Sequence, residues 1–268
     1  MTSAPAAATF RKHRGQAPPD YYAIEAAGLA WLTVPGGPPV PRVHTVAADH
    51  LVLARLPAGH PDAAASTDFG RRLARLHTTG AASYGAPPAG VTADCGYIAD
   101  LPLPYGRWDH FGTFYAAARV EPYLRLLRDR AGLPTAAART FDALLAALTD
   151  PAGGICGPAE PASRVHGDLW SGNVMWSPGT DGTITGWLID PAAHGGHRET
   201  DLAMLALFGL TGLPRVLAAY HEVAPLADGW RDRVPLHQVH PLLVHAALFG
   251  GGYLGQAHAA TAAALRSG

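Results

Sequence analysis

The sequence contains little lysine, little cysteine and little charge of any kind. Of its 268 residues, 15% are charged, and the formal net charge is −1. Proteins that bind nucleic acids or anionic membranes usually carry an excess of basic residues on one face or segment. The near-neutral composition therefore argues against both partners, and we expect the ligand to be a small molecule.

Cysteines and long apolar runs are also scarce. The two cysteines, Cys95 and Cys156, are far apart and form no metal-binding pair, so we expect reduced, structurally incidental thiols. The longest apolar run, residues 202–213, is too short to span a bilayer, and the first residues show no basic segment followed by an apolar signal core. The sequence therefore predicts a cytoplasmic protein that does not enter a membrane.

The scarcity of lysine draws attention to the one position where lysine is present. Lys12 is the only lysine among 20 basic residues. An ammonium group is a compact point charge that suits phosphate anchoring, whereas a guanidinium group is planar and forked. Glu25 follows within residues 22–32, which have the apolar spacing of a helix. A strand with Lys12 and a helix with Glu25 would form the ion pair that positions a kinase lysine; a solvated surface pair is the alternative.

The most informative motif is His-Gly-Asp-Leu-Trp-Ser-Gly-Asn at residues 166–173, followed by Asp190 after an apolar stretch at 184–189. In kinase-type phosphoryl transfer, one Asp orients the acceptor hydroxyl and takes its proton, while an Asn and a second Asp hold Mg²⁺. The order of residues predicts Asp168 as the base and Asn173 and Asp190 as the metal ligands. Simple turn formation is the alternative, but it does not account for the acid after a separate strand.

Two metal-dependent alternatives are weaker. A metallohydrolase built on His166, Asp168 and Asp190 would leave the asparagine and the lone lysine without a role. Histidine pairs at 194 and 197 and at 237 and 240 have spacings that zinc uses, but a catalytic zinc needs three protein ligands, and neither pair has a third ligand nearby in the sequence. We therefore expect these to be ordinary loop and helix histidines.

The coarse pattern predicts an α+β protein. Strands are indicated at 43–46 and 51–53, and the chain then leaves the strand pattern at Pro57, as a connection between two lobes would. Main-chain groups at Leu53, Ala54, Arg55 and Leu56 are candidates for reading adenine. The later sequence is mainly helical, with helices predicted at 68–79 and at 109–131, the second with Asp109 as N-cap and a break at Glu121-Pro122.

These residues resemble the fructosamine kinase, or ketosamine kinase, family within the aminoglycoside phosphotransferase and protein-kinase-like group. The similarity extends over residues 10–253. The wider group shares only the His-Gly-Asp, the Asn and the later Asp, whereas Trp170 and the Gly-His-Arg-Glu sequence at 196–199 are typical of the ketosamine branch.

The resemblance implies a kinase that uses ATP and Mg²⁺ to phosphorylate a sugar hydroxyl of a ketosamine, either a fructosamine or a ribulosamine. An aminoglycoside-type phosphotransferase is the alternative within the group. Asp201 would hold the backbone of the catalytic loop. The implied roles are Asp168 as base, Asn173 and Asp190 as Mg²⁺ ligands, Lys12 and Glu25 as phosphate anchor and partner, and Trp170, His197 and Glu199 as substrate contacts, with core packing also open for Trp170 and an ion pair for Glu199.

The N-terminus departs from the family pattern. Only 11 residues precede Lys12, and they contain no glycine, so they cannot form two strands and a glycine-containing loop over the triphosphate. We therefore expect a two-lobed protein-kinase-like fold with a truncated β lobe at 1–56 and a helical lobe at 57–268. A wrongly assigned start codon, a shortened chain and a natural protein of low activity are the possible explanations. The expected result is a poor kinase, or a ligand-binding relative with little activity.

Overall fold

The computed structural model describes residues 8–267 as an α+β structure, with a small β region first and a largely helical part after it. A π-helical turn at Tyr115–Val120 and a 3-10 turn at Ser171–Asn173 accompany the strands and α-helices. The strands are β1 Thr9–His13, β2 Val43–Val46, β3 His50–Ala54, β4 Cys95–Ile98, β5 Leu101–Pro104, β6 Ser163–Val165, β7 Val174–Pro178, β8 Ile184–Leu188 and β9 His194–Gly196. The helices are α1 Tyr21–Leu32, α2 Ala63–Thr78, α3 Phe111–Phe114, α4 Glu121–Ala131, α5 Thr135–Thr149, α6 Arg198–Phe208, α7 Leu213–Val223, α8 Trp230–Phe249 and α9 Tyr253–Ser267.

The N-terminal region is a three-stranded antiparallel sheet in the order β1-β3-β2, with α1 packed against it. Lys12 lies opposite Leu51 in the register of β1 and β3. Tyr22 and Leu29 of α1 pack into a small core with Leu51 and Leu53 of β3. The predicted strands at 43–46 and 51–53 and the predicted helix at 22–32 are confirmed. Leu51 and Leu53 alternate toward the core, and Leu29 and Leu32 lie on the buried side of α1, whereas the edge strand β2 has no buried residue.

Helix α2 begins earlier than the sequence predicts. The helix was expected from residue 68, but it starts at Ala63, where the side chain of Asp62 accepts a hydrogen bond from the Ala65 amide at 2.7 Å. The first turn carries only small side chains, so it contributes little to the apolar periodicity. The cap at Asp62, rather than hydrophobic spacing, sets the start of the helix.

The predicted helix at 109–131 is interrupted. It begins at Phe111 rather than with Asp109 as N-cap, and a π-helical turn over Tyr115–Val120 separates α3 from α4. Pro122 has no amide hydrogen to donate to the Ala118 carbonyl, which instead accepts from the guanidinium of Arg119 at 2.9 Å. The predicted break at Glu121-Pro122 is confirmed, whereas the N-cap assignment is wrong.

Two short antiparallel strand pairs bring the motif at residues 166–173 close to Asp190. Strand β6 pairs with β9, and β7 pairs with β8, with Val174 opposite Leu188. The ladder continues through the amide of Ile189, which donates to the Asn173 carbonyl at 3.1 Å. Because the motif precedes β7 and Asp190 follows β8, this pairing places them at one end of the hairpin.

The helical part encloses a large core formed by α3, α4, α5, α8 and α9, and a second core lies between α2, α7 and the β7–β8 hairpin. Together with the small sheet, these two cores place the end of the β7–β8 hairpin beside Asp190 between the sheet and the helices.

Across residues 8–267, no helix is both long and apolar enough to cross a membrane.

Candidate active site

One buried carboxylate holds the loop that begins at His166. Asp201 accepts hydrogen bonds from the backbone amides of His166 at 2.7 Å and Gly167 at 3.0 Å, and His77 Nε2 lies 3.2 Å away. Burial alone would raise the pKa of Asp201, but the bond with His77 and the neighbouring histidines outweigh it and lower that pKa. Gly167 has a φ of 81°, and a Cβ there would overlap the Ala192 carbonyl, so the turn requires glycine.

His166 connects the two loops of the site. Its Nε2 donates to the Ile189 carbonyl at 2.8 Å, and its Nδ1 accepts from the amide of Asp168 at 3.2 Å. These partners assign the proton to Nε2. Both ring nitrogens are committed to the backbone, and burial lowers the pKa of His166. A neutral orienting ring of this kind has no lone pair left for a metal, which argues against the metallohydrolase alternative.

Asp168 and Asn173 are directly bonded. The Asn173 amide nitrogen donates to the carbonyl of Asp168 at 2.7 Å and to its Oδ2 at 3.0 Å. The Oδ1 atom of Asp168 and the side-chain oxygen of Asn173 therefore stay available for other partners. Burial raises the pKa of Asp168 to about 7, although the hydrogen bond from Asn173 acts in the opposite direction.

Lys12 bridges the small sheet and the second loop. Its Nζ lies 2.7 Å from Glu25 Oε2 and 3.0 Å from Asp190 Oδ1. Burial would lower the pKa of Lys12, but the two carboxylates outweigh it, so the pKa is raised. Asp190 has a φ of 53°, which turns its side chain back toward the lysine. The predicted lysine and glutamate thus form a partly buried ion pair, and the pair extends to the predicted metal ligand.

A cavity of about 310 Å³ lies between these groups. Trp170, 41% exposed, forms part of its wall. Six of the residues predicted for the site line this cavity: Lys12, Glu25, Asp168, Trp170, Asn173 and Asp190.

The four residues predicted to read adenine lie away from this cavity. Leu53 and Ala54 end β3, and Arg55 and Leu56 begin the connection into the helical part. The amide of Ala54 donates to Arg42 at 2.8 Å, and the amide of Arg55 donates to the carbonyl of residue 8 at 2.9 Å. These two amides donate to residues that directly precede β2 and β1, and adenine recognition by this segment stays a prediction.

His197 and Glu199 lie in a buried cluster with His237. Potential ligand atoms of the three residues lie within 4.8 Å of one another, an arrangement that neither predicted histidine pair anticipated. However, Arg233 holds both Glu199 oxygens, at 3.0 Å and 2.6 Å. His197 Nδ1 accepts from the Glu199 amide at 3.2 Å and so caps α6. The guanidinium supplies the positive charge that a metal would bring, and substrate contact by His197 and Glu199 stays a prediction.

We expect the Arg233→Ala variant to lose about 3 kcal/mol of unfolding free energy, because removing one partner leaves a buried charge without compensation. The side chain of Glu199 is 3% exposed and that of Arg233 is 11% exposed, so water cannot replace the lost bonds freely. Urea unfolding followed by circular dichroism measures the change. The control is Arg231→Ala, at an exposed position of the same helix; equal stability of the two variants would contradict the prediction.

The sequence did not predict the β4–β5 hairpin, whose tip closes one side of the cavity. Tyr97, Ile98 and Ala99 line the cavity from this hairpin. Its strands contain Pro102 and Pro104, which are unusual in sheets, and its turn lacks the glycine that hairpins prefer, since Ala99 takes the left-handed conformation with a φ of 50°. Alternation of Leu101 and Leu103 toward the core was the available signal.

The hairpin also contacts the small β region. Arg14 donates to the hydroxyl of Tyr21 at 3.1 Å and forms an ion pair with Asp100 of the hairpin tip at 2.8 Å. The hydroxyl of Tyr97 donates to the Pro19 carbonyl at 3.3 Å. The cavity is therefore bounded by both regions of the chain.

Comparison with known proteins identifies the family. A sequence model of the fructosamine kinase family matches residues 3–267. The chain belongs to the fructosamine kinase family. A probable ketoamine kinase of Thermus thermophilus is 35% identical over 240 residues, which cover 89% of this chain and 80% of the relative. A probable ketoamine kinase of Escherichia coli is 32% identical over 237 residues, covering 87% and 77% of the two chains.

Solved structures agree with this assignment. A candidate fructosamine-3-kinase of Thermobifida fusca has 44% identity and a TM-score of 0.85, with 96% of this chain and 85% of that chain covered. A macrolide 2'-phosphotransferase of Brachybacterium faecium has a TM-score of 0.59 at 18% identity, covering 94% and 83%, which establishes a shared fold. The fructosamine kinase fold here is protein-kinase-like, and the chain is a small-molecule phosphotransferase. Membership in a kinase family implies the use of ATP.

Proposed function

We propose that this fructosamine kinase family member transfers the γ-phosphoryl group of ATP, with Mg²⁺, to a sugar hydroxyl of a ketosamine, either a fructosamine or a ribulosamine. The observation that carries the proposal is the convergence of Asp168, Asn173, Asp190 and Lys12 on one cavity. Kinase-type transfer needs a base, oxygen ligands for a cation and a phosphate anchor within reach of one another. The names of the relatives support a ketoamine acceptor.

Asp168 is the proposed base. The Asn173 amide fixes its Oδ2 at 3.0 Å, so Oδ1 is the atom that accepts the hydrogen bond of the acceptor hydroxyl. A base held in this way orients the hydroxyl oxygen toward the phosphorus and takes its proton as the new P–O bond forms. The bond between phosphorus and the leaving oxygen of ADP breaks in the same transfer.

Lys12 is the proposed phosphate anchor, and Glu25 positions it. The 2.7 Å bond to Glu25, whose side chain is 6% exposed, holds the ammonium in the lining of the cavity. An ammonium placed there neutralises charge on the phosphate oxygens of the nucleotide. The second carboxylate near Lys12, that of Asp190, is 46% exposed and can release the lysine to a phosphate.

The residues fit Mg²⁺. The amide nitrogen of Asn173 is committed to Asp168, which leaves its oxygen for a cation, and Asp190 supplies a carboxylate. Both are hard oxygen ligands of the kind that Mg²⁺ prefers. When bound, Mg²⁺ neutralises the charge of the triphosphate oxygens during transfer.

The remaining assignments are part of the same proposal. Trp170 offers an indole face to the sugar, and the segment from Leu53 to Leu56 reads adenine through main-chain groups. We place the boundary between the two lobes at residues 56 and 57; residues 1–7 and residue 268, at the two ends of the predicted domains, lie outside the described part of the chain.

The decisive test is incubation of the chain with ATP, Mg²⁺ and a panel of fructosamines, ribulosamines and aminoglycosides, with mass spectrometry of the products. We expect a singly phosphorylated ketosamine and its loss when a chelator removes the metal. Phosphorylation of aminoglycosides alone would overturn the acceptor assignment. Binding of ketosamines without product would support the ligand-binding alternative.

We expect Lys12→Met to lower kcat/KM for ATP by about a hundredfold, because one preorganised charge on the phosphates is lost. Steady-state kinetics with varied ATP measure the change. The control is Arg11→Met, which removes a 59%-exposed charge from the neighbouring position of β1. Equal kinetics of the two variants would exclude Lys12 as the phosphate anchor.

A further inference from the structure

A row of aromatic rings extends from the cavity across the surface of the helical part. It consists of Trp170, Phe208, His245, Phe249 and Tyr253, and we call it the aromatic strip. Trp170 is 41% exposed and Phe249 is 68% exposed, and the other three are partly buried. A large aromatic side chain left in water forgoes the free energy of burial, so a row of them at a cavity indicates a surface that binds something.

The rings of the strip follow one another at contact spacing. The ring centroids of Trp170 and Phe208 are 6.3 Å apart, and those of Phe208 and His245 are 4.7 Å apart. His245 then lies 5.5 Å from Phe249 and 5.2 Å from Tyr253. The strip is therefore continuous and begins at a ring that also lines the cavity with Asp168.

Glycines at both ends of the aromatic strip allow its terminal rings to take their positions. At the cavity end, a Cβ at Gly172 would overlap the indole of Trp170, so glycine is what allows the ring to lie there. At the far end, α8 stops at Phe249, and Gly250 and Gly251 take positive φ values of 63° and 61°. This turn starts α9 at Tyr253, close to the end of α8.

The strip carries no formal charge. His245 Nδ1 donates to the Pro241 carbonyl at 2.8 Å, and burial lowers the pKa of this imidazole, so the ring is neutral near pH 7. The other members are tryptophan, phenylalanine and tyrosine side chains. An uncharged row of rings favours an apolar or aromatic group over an anionic one.

We propose that the aromatic strip binds the substituent on the amine nitrogen of the ketosamine, and that the preferred substituent is apolar or aromatic. The inference rests on the proposed function, since the sugar hydroxyl must lie at Asp168. With the sugar against Trp170, the substituent on nitrogen leaves the cavity along the next ring, Phe208. The strip joins the cavity at Trp170, which favours a group attached to a ligand bound in the cavity as its occupant. A second copy of the chain could bind the rings without any contact at the cavity.

The test compares N-benzylfructosamine with N-methylfructosamine as acceptors for the full chain. We expect kcat/KM to be roughly fivefold higher for the N-benzyl acceptor, through KM, since one aromatic contact of this kind is worth about that factor. In Phe208→Ala and Phe249→Ala this advantage should shrink to about twofold or less. Val223→Ala, an exposed apolar position on α7, should keep the full advantage.

The results of this test distinguish a failure of the inference from a failure of the proposed function. Equal KM values for the two acceptors in the parent chain, or a preference that both phenylalanine variants retain, overturns the inference but leaves the proposed function intact. If neither acceptor nor the corresponding N-benzyl and N-methyl ribulosamines are phosphorylated, the proposed function fails, and equilibrium binding of the N-benzyl and N-methyl compounds then tests the aromatic strip. Equal dissociation constants in that measurement overturn the inference as well.

Discussion

The Asp168→Asn variant should lose phosphoryl transfer almost completely, with kcat lowered by about a thousandfold. The substituted amide can still accept from Asn173, whose nitrogen lies 3.0 Å from Oδ2, so the loop should keep its shape. What disappears is the capacity to take the proton of the acceptor hydroxyl. Initial rates of ADP formation with a saturating ketosamine measure the change.

The comparison for this variant is Asp181→Asn, in the exposed turn between β7 and β8, where the side chain accepts only from the Thr183 amide. It should retain the parent rate. The affinity of Asp168→Asn for ATP should change little, because the lysine and the cation ligands are untouched. A variant that keeps more than about a tenth of the parent kcat would exclude Asp168 as the base.

The second large effect is on stability. We expect Asp201→Asn to lower the free energy of unfolding by about 3 kcal/mol at pH 7, because an amide can accept through only one atom while the amides of His166 and Gly167 both donate to this side chain. The side chain is 1% exposed, so water cannot take over the lost bond. Urea denaturation with the Asp181→Asn control measures the difference.

The difference in unfolding free energy between the parent chain and Asp201→Asn should also depend on pH. The folded structure lowers the pKa of Asp201 below that of the unfolded chain, so the stabilisation is complete above the unfolded value, about 3.9, and is lost as the pH falls through the folded value. The gap between parent and variant should therefore be constant near neutrality and narrow only in acid. A gap that instead narrows between pH 6 and 8 would assign the effect to the neighbouring histidines rather than to Asp201.

The sequence predicted which residues meet at the cavity, because the proposed chemistry restricts residue type and spacing. Asp168, Asn173 and Asp190 are close in space since β7 and β8 form a tight hairpin, and the apolar pattern at 184–189 already indicated the second strand. Lys12 stood out by composition alone. The helix that carries Glu25 was predicted from its apolar spacing. The strand that carries Lys12 was inferred from the ion pair that a kinase lysine needs, since four of its five residues are exposed and show no buried face.

Features that depend on tertiary contacts were not predictable in this way. The β4–β5 hairpin has prolines in its strands and an alanine at its left-handed turn position, so local propensity argued against it. The Glu199–Arg233 pair joins residues 34 apart, and the aromatic strip assembles from a loop and three helices. Nothing in the local sequence marks such neighbours, since packing of separate elements decides them.

The ion pairs of Lys12 affect how readily reducing sugars can glycate this protein. Sugars condense with lysine through the unprotonated amine, and this chain offers a single side-chain amine. That amine lies between two carboxylates, which raise its pKa and keep it protonated, and only 17% of the side chain is exposed. With arginine in every other basic position, the chain presents almost no lysine for the Schiff-base chemistry that creates ketosamines.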